Sequence, residues 1–281
     1  MTLNEYLKQA REGGYAIGHF NFATEDVLKA IVSAAKESRA PCVMVGTSEG
    51  EAEFVGLKEA VALVRAIAED FQYPVFLNAD HFRSFEKCRA AIDAGYDSVI
   101  VDPKKEYAEN LSITTQVVEY ARSVNANISI EGELGYLKGS SEVQQKIEIS
   151  IDDYSKPEEV ADFVAQTGVD RMAVVFGNIH GIVTDQEEKL DVEHFAKIVA
   201  AAPAPAYVLH GASGLSDQDI KAAIKAGIVN VHFNTELRVA YHDALEKTMH
   251  DNPTETTPYK YLGPAAEEVK KLVLQKLALF K

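Results

Sequence analysis

The chain has 281 residues, with 28 Lys and Arg against 43 Asp and Glu, so its formal net charge is −15. This acidic excess disfavours binding to nucleic acid and to anionic membrane surfaces, because both attract clustered basic residues. A small anionic ligand is not excluded, because it responds to the local field of its pocket. Hydrophobic residues make up 47% of the chain, which is enough for a sizeable globular core.

Three features of the chain predict a cytoplasmic protein. The first residues, MTLNEYLKQAREGG, have the pattern of a polar amphipathic helix rather than of a signal peptide. No apolar run reaches the length that crosses a membrane. The two cysteines, Cys42 and Cys88, lie in patterns typical of buried residues and predict no disulfide framework.

Eight short apolar runs alternate with amphipathic segments along the chain, a pattern typical of parallel strands buried on both faces. The predicted strands are Tyr15–His19, Pro41–Gly46, Pro74–Asn78, Tyr96–Asp102, Asn127–Glu131, Asp170–Phe176, Ala206–Leu209 and Val229–Phe233. The helices predicted between them include Glu25–Ser38, Leu57–Asp70, Phe85–Ala94 and Asp217–Ala226. The alternation predicts an α/β protein, a single (β/α)8 TIM barrel over residues 1–281, with a doubly wound open sheet as the alternative.

The segment after the eighth strand predicts a C-terminal helical extension. His242–His250 continues a helix, and the turn-rich stretch Asn252–Pro258 follows it. A last helix is predicted to open at Gly263 and Pro264, because proline suits the first helical position. The apolar side of this helix is wide enough to dock on the barrel or on another subunit.

The carboxyl ends of the strands carry the active site in barrels of this kind, and five of the eight histidines fall there. His81, His180 and His210 follow the third, sixth and seventh predicted strands. Together they offer three imidazole nitrogens to one zinc ion and leave an open position for a substrate. For each histidine alone, a hydrogen bond that caps a strand is the alternative interpretation.

The segment from His210 to Gly214 predicts a phosphate site. Its glycines and small residues let backbone N–H groups approach a phosphate closely. The loops after the seventh and eighth strands are the usual phosphate site of this fold, where Thr235 could add a hydroxyl. A tight turn without a ligand is the alternative.

Three carboxylates near the predicted metal site are candidates for chemistry. Asp80 directly precedes His81 and could exchange a proton with a substrate hydroxyl, or orient a metal ligand. Asp102 and Glu133 could be further oxygen ligands of a metal or simply polar residues of the rim.

These motifs resemble those of the class II, metal-dependent aldolases that cleave fructose or tagatose bisphosphate. The matching segments are Phe20-Asn21, Asp80-His81, Ser84–Asp102, Glu131–Gly139, Gly177–Gly181, Leu209–Leu215, Asn234–Arg238 and Tyr261–Ala265. The resemblance implies a zinc-dependent lyase of carbohydrate metabolism and glycolysis. It would reversibly cleave a phosphorylated ketose to dihydroxyacetone phosphate and an aldehyde, as a homodimer or homotetramer. A different ketose phosphate substrate and a catalytically weak phosphosugar-binding protein are the alternatives.

The resemblance also assigns roles to individual positions. It implies that His81, His180 and His210 bind zinc and that Asp80 is the acid/base at the C4 oxygen. Asp102 and Glu133 match positions that bind a second or displaced metal, so a second divalent ion or a monovalent cation is a further candidate. The residues implied or predicted to contact substrate and its phosphate are Asn21, Ser48, Gly181, Gly211, Ala212, Ser213, His232, Phe233, Asn234 and Thr235.

The chain departs from the family pattern at several positions. In the loop after the ELG motif, Ser141 stands where the family has a glutamate that is a proposed proton carrier. Glu142, one residue further on, is the catalytic candidate if the loop adjusts. His232 replaces an asparagine that touches the ketose, His19 replaces a small residue, and Arg83 belongs to an unusual pair after the DH motif, so these positions could reshape the substrate pocket.

Overall fold

The computed structural model describes all 281 residues and contains a closed barrel of eight parallel strands. The ten strands of the protein are β1 (Ile17–Asn21), β2 (Val43–Ser48), β3 (Val75–Phe82), β4 (Ser98–Val101), β5 (Ser129–Leu134), β6 (Gly139–Gln144), β7 (Arg171–Val174), β8 (His180–Val183), β9 (Ala206–Leu209) and β10 (Ile228–Phe233). The barrel order is β1-β2-β3-β4-β5-β7-β9-β10, which confirms the predicted TIM barrel and all eight predicted strands. The sequence did not predict β6 and β8, which form a separate two-stranded parallel sheet.

Eleven α-helices and one short 3-10 helix, Ile151–Asp153, accompany the strands. The α-helices are α1 (Leu3–Gly13), α2 (Glu25–Glu37), α3 (Glu49–Val55), α4 (Leu57–Phe71), α5 (Phe85–Ala94), α6 (Tyr107–Val124), α7 (Pro157–Thr167), α8 (Val192–Ala201), α9 (Asp217–Ala226), α10 (Thr235–Asp251) and α11 (Pro258–Ala278). The bounds of α5 and α9 are those predicted, because each helix begins after a serine N-cap and ends before a glycine. None of the helices is long and apolar enough to cross a membrane.

The predicted start of the last helix is wrong. The helix begins at Pro258, which occupies its first turn, and Pro264 lies inside it. Pro258 has the preset φ that suits a first helical position, and the Glu255 carboxylate accepts a hydrogen bond of 2.9 Å from the Thr257 N–H just before it. The second proline therefore does not open the helix, although it removes one backbone donor from it.

The C-terminal helix α11 docks on the barrel of its own chain. Its apolar face, which includes Val269, Val273 and Leu277, is buried and packs against α2 and α10. Burial of each of these side chains stabilises the fold by about 1.5–3 kcal/mol. The sequence left open whether this face docks on the barrel or on another subunit, and in the structure it packs on helices of the barrel.

The interior of the barrel is polar below its carboxyl-terminal rim, whereas most barrels fill this space with branched apolar residues. The fully buried Arg171 of β7 lies at its centre. Its guanidinium donates to Asn78 Oδ1 at 3.0 Å and to Ser129 Oγ at 3.2 Å, and it pairs with Glu131 at 2.5 Å. This charged layer lies directly below the residues of the rim and contacts His210 through Glu131.

Candidate active site at the barrel rim

A cavity of about 740 Å³ opens at the carboxyl ends of the barrel strands. Only two of the 25 residues that line it are hydrophobic. Among the predicted site residues, the cavity is lined by Asn21, Ser48, Asp80, His81, Asp102, His180, Gly181, His210, Gly211, Ser213, His232, Phe233, Asn234 and Thr235. The structure therefore brings most of the predicted residues to one place.

Asp80 and His81 reach this cavity together because β3 bulges at its end. The register between β3 and β4 shifts between Ala79 and Phe82, and His81 has a φ of +54°. In a regular strand these neighbouring side chains would point to opposite faces. The bulge turns both toward the cavity, as bulges near active sites often do.

The three predicted ligand histidines form one cluster. Candidate ligand nitrogens of His81, His180 and His210 all lie within 4.8 Å of one another. His81 Nε2 and His210 Nδ1 are only 3.0 Å apart. Three imidazoles that converge in this way have the chemistry of a site for a divalent metal ion.

The hydrogen bonds on the far side of two of these rings decide which nitrogens face the cluster. His81 Nδ1 lies 3.0 Å from Asp102 Oδ2, and His210 Nε2 lies 2.6 Å from Glu131 Oε1. A carboxylate accepts, so each of these nitrogens carries a proton, and in the neutral ring the opposite nitrogen has a lone pair. The two opposite nitrogens are 3.0 Å apart, so either a proton on one of them or a cation lies between them, and a divalent metal ion is one cation that such a pair can bind.

The surroundings of His81 favour a positive charge. Burial alone lowers the pKa of this imidazole, but the carboxylates of Glu133, Asp80 and Asp102 outweigh it and raise the pKa to about 10 in the metal-free protein. Asp102 and Glu133 both lie on the Nδ1 side of the ring, at 3.0 Å and 3.4 Å. They contact His81 from behind, and Lys104 pairs with Asp102 at 3.0 Å.

Asp80 holds one free carboxylate oxygen in the cavity. Its Oδ2 accepts a hydrogen bond of 2.9 Å from Asn21 Nδ2, while its buried Oδ1 has no partner and lies 3.7 Å from His232 Nδ1. Burial raises the pKa of Asp80, but the nearby imidazoles of His81 and His19 lower it to about 2. The residue is therefore ionised and has an acceptor ready for a substrate proton.

The two predicted glycine loops meet at one end of the cavity. Gly181 has a φ of +93° and Gly211 a φ of +68°. A Cβ on Gly211 would lie 2.1 Å from the Ile179 carbonyl oxygen, and a Cβ on Gly181 would lie 2.3 Å from that of Ser140. Both positions therefore require glycine, because each one packs directly against the backbone of a neighbouring loop.

The N-terminus of α10 lies at the same end. The N-cap residue of this helix makes no side-chain cap, and Ser213 Oγ accepts a hydrogen bond of 3.4 Å from the Glu236 N–H. The remaining N–H groups of the first turn can serve a bound anion. Ser213, Thr235 and Arg238 line the cavity there. Ala212 lies in the same loop but is fully buried and lines no part of the cavity.

The structure places Ser141, not Glu142, in the cavity wall. Ser141 Oγ lies 3.0 Å from Thr235 Oγ1 and accepts a hydrogen bond of 2.9 Å from the Arg238 guanidinium. The Glu142 side chain is exposed and does not line the cavity. His19 is fully buried behind the wall, where its ring stacks on His232 with centroids 3.7 Å apart.

Three functional residues escaped the sequence analysis. Glu131 and Arg171 orient His210 from below, and the only hints were an acidic residue in the EGELG motif and an arginine in an apolar strand. Glu51 lies in the cavity wall and accepts hydrogen bonds of 2.8 Å from Asn21 and 3.2 Å from Asn234. It stands in the SEGE run at the start of α3, where an acidic residue is ordinarily a helix-capping partner.

Comparisons with known proteins point to one family. The family profile described as "Fructose-bisphosphate aldolase class-II" matches residues 1–281. The fructose-bisphosphate aldolase of Staphylococcus epidermidis is 36% identical over an alignment of 286 positions that covers 100% of this chain and 96% of that protein. The fructose-bisphosphate aldolase of Geobacillus stearothermophilus is 36% identical over 284 residues, with 100% and 96% covered.

A solved structure shows the same architecture. The crystal structure of the YdjI aldolase from Escherichia coli K12 superposes with a TM-score of 0.85 at 30% identity, covering 99% of this chain and 96% of that one. The family match, the relatives and the fold agree over the whole length of the chain. The chain therefore belongs to the class II fructose-bisphosphate aldolase family, whose members are lyases.

Proposed function

We propose that the protein is a zinc-dependent aldolase that reversibly cleaves a phosphorylated ketose between C3 and C4, giving dihydroxyacetone phosphate and an aldehyde. The observation that carries this proposal is the convergence of His81, His180, His210 and the free Asp80 oxygen on a cavity that also reaches the glycine loops. The names of the relatives make fructose 1,6-bisphosphate, and its C4 epimer tagatose 1,6-bisphosphate, the first substrates to test.

His81, His180 and His210 would hold the metal ion. Three imidazoles with an open fourth position are the donor set of a catalytic zinc site, although imidazole also serves cobalt and manganese. A bound zinc ion supplies a Lewis acid that stabilises negative charge developing on substrate oxygen. Asp102 and Glu133 would serve a second cation, either a divalent ion or a monovalent one.

Asp80 would act as the general base in the cleavage direction. Its free Oδ1 would accept the proton of the C4 hydroxyl, so that the C4 oxygen becomes the carbonyl of the departing aldehyde and the electrons of the broken C3–C4 bond pass to C3. Asn21 supports this role, because its hydrogen bond occupies Oδ2 and leaves Oδ1 for the substrate.

The proton that C3 then needs would come from the β6 loop. Glu142 is the proposed carrier, and the loop must shift by one residue to bring its carboxyl group where Ser141 now stands. The segment contains the small residues Gly139, Ser140 and Ser141, and the shift would replace the pairing of β6 with β8 and the contact of Ser141 with Arg238.

The phosphate of the substrate would bind between the glycine loops and α10. Backbone N–H groups of Gly211, Ser213 and Thr235 would contact its oxygens, with the Ser213 and Thr235 hydroxyls as further donors. Phosphate held there positions the C4 hydroxyl of the ketose for proton transfer to Asp80, and positioning of this kind contributes a large share of enzymatic rate.

Metal analysis combined with a cleavage assay tests the proposal. We expect about one zinc ion per chain by elemental analysis, release of dihydroxyacetone phosphate from a ketose phosphate, loss of that activity after chelation, and recovery when zinc returns. Full activity without metal would contradict the proposal. Tight binding of ketose phosphates without any cleavage would instead favour the phosphosugar-binding protein.

We also propose that residues 1–281 form a single domain and that the protein is a cytoplasmic homodimer or homotetramer. Both cysteines are free and buried, in keeping with a reducing compartment. Phe54 and Tyr259 are large aromatic side chains that are each 77% exposed, and such residues often lie in subunit interfaces. Light scattering after gel filtration gives the mass of the assembly, and a monomer would contradict the oligomer.

A further inference from the structure

Glu51 is a carboxylate at the cavity wall that has hydrogen bonds but no cationic partner. Its Oε2 accepts from the Ser48 N–H at 2.7 Å and from Asn21 Nδ2 at 2.8 Å. Its Oε1 accepts only from Asn234 Nδ2, at 3.2 Å. Because a carboxylate oxygen has two acceptor positions, one position on Oε1 is open.

Glu51 lies next to Asp80. The same Asn21 Nδ2 donates to Glu51 Oε2 and to Asp80 Oδ2, at 2.8 Å and 2.9 Å. If Asp80 serves the C4 hydroxyl, the substrate atoms beyond C4 pass Glu51 and α3. This end of the cavity therefore receives the part of the ketose that leaves as the aldehyde.

The charged groups at this end are poorly suited to a second phosphate. Glu49 and Glu53 of α3 line the cavity and are paired with Lys87, at 2.5 Å and 3.8 Å. Arg83 is the one basic residue there that makes no ion pair, and it is exposed to solvent. Water screens a single exposed guanidinium, whereas Glu51 is half-buried.

A phosphate dianion and a hydroxyl interact with Glu51 in opposite ways. The dianion has only acceptor oxygens, so it makes no hydrogen bond to a carboxylate and is repelled by its charge. A sugar hydroxyl donates to the open position on Oε1 and carries no charge. The wall at α3 is thus complementary to a neutral polyhydroxylated chain.

We propose that the substrate is a ketose 1-phosphate whose distal end is an uncharged, hydroxylated chain, and that Glu51 is the residue that determines this specificity. This inference rests on the proposed function and specifies which ketose phosphate the site takes. It distinguishes the chain from an enzyme for ketose bisphosphates, whose second phosphate needs basic residues at the distal end.

A binding experiment with uncleavable probes tests this specificity without relying on catalysis. Mannitol 1-phosphate and mannitol 1,6-bisphosphate lack the carbonyl that aldol cleavage requires. Their dissociation constants would be measured by calorimetry on the zinc-loaded protein. We expect the monophosphate to bind about tenfold more tightly than the bisphosphate, since like charges oppose the second phosphate.

Two matched variants locate the effect. Glu51→Gln removes the charge but keeps the size of the side chain, and we expect the preference to fall to about threefold or less. Glu59→Gln removes the same charge from an exposed residue of the neighbouring helix α4 that does not line the cavity, so the preference should stay intact. Equal effects of the two substitutions would overturn the assignment to Glu51.

The wild-type comparison is decisive even if Glu51→Gln folds poorly. Equal or tighter binding of the bisphosphate overturns the proposal, as does failure of both hexitol phosphates to bind. Selective binding of the monophosphate supports it. If that selectivity appears in a protein that cleaves no ketose phosphate, the proposed activity fails while the specificity stands.

Discussion

The two ends of the cavity are built on the same ring of strand ends but from different chemical groups. At the glycine end, Gly181 and Gly211 line the cavity, and the N-terminus of α10, whose N-cap residue makes no side-chain cap, adds N–H donors. At the α3 end, the wall consists of side-chain acceptors, above all Glu51. One end therefore offers donors for an anion, and the other offers an acceptor for hydroxyls.

The half-buried acids at the two ends also differ in whether a cation pairs with them. At the glycine end, the Glu236 carboxylate accepts from the Gly214 N–H at 2.8 Å and pairs with the nearly buried Lys276 of α11 at 2.6 Å. Its charge is neutralised, so it supports the loop without opposing an anion. Glu51 at the other end has no such cation, so its negative charge acts on a bound ligand. The partners of an acidic residue in a cavity wall therefore decide whether it opposes an anion.

The largest expected effect lies between the two ends, at Asp80. Asp80→Ala should keep its metal and lose about 10²–10⁴-fold in kcat, because it removes the proton acceptor. The loss should be equal for substrates with and without a distal phosphate. Steady-state kinetics on protein of verified zinc content measures it, and near-normal turnover would return Asp80 to an orienting role.

A substitution next to the metal site should change the affinity for zinc without involving either end of the cavity. Glu131→Gln should weaken zinc binding about 10–100-fold, because the carboxylate that orients His210 and increases its basicity is lost. Competition with a chromophoric chelator measures this affinity. The exposed Glu119→Gln serves as the control, and an unchanged affinity in Glu131→Gln would show that His210 needs no such support.

A substitution at the glycine end should weaken binding of the substrate phosphate without changing the α3 end of the cavity. Gly211→Ala forces a Cβ to within 2.1 Å of a carbonyl oxygen, so binding of dihydroxyacetone phosphate should weaken about tenfold, or roughly 1.4 kcal/mol. Calorimetry measures the affinity.

Gly168→Ala is the matched control for that substitution. Gly168 has nearly the same φ, +66°, but open space around it. It should lose only some stability from backbone strain, with ligand affinity unchanged. If both variants bind the ligand equally, the tight approach at Gly211 is a structural turn and not part of a phosphate site.

The smallest expected effect concerns the β6 loop. Glu142→Gln should slow exchange of the dihydroxyacetone phosphate C–H proton with solvent by about tenfold or less. Ser141→Glu should speed it, because the new carboxyl group starts in the cavity wall. Deuterium exchange followed by NMR measures both, and wild-type exchange in Glu142→Gln would contradict the shifted-base proposal.

The sequence by itself predicted the barrel and the core of the site, because those depend on local patterns. Apolar runs between amphipathic segments specify parallel strands and helices, and strand ends of a barrel share one rim. His81, His180 and His210 could thus be placed together from position alone. The predicted start of α11 was wrong, because both Pro258 and Pro264 suit a first helical position. The hydrogen bond from the Thr257 N–H to Glu255 stabilises the turn just before Pro258, and the helix begins there.

Only the tertiary structure decided the contacts between distant segments. Asp80 and His81 share the cavity through a bulge that depends on pairing with β4. Glu51 meets Asn21 across 30 residues and Asn234 across 183, so no local pattern marks it as part of a site. Its function follows from which groups surround its charge, and burial and pairing across the fold are properties that a linear sequence does not display.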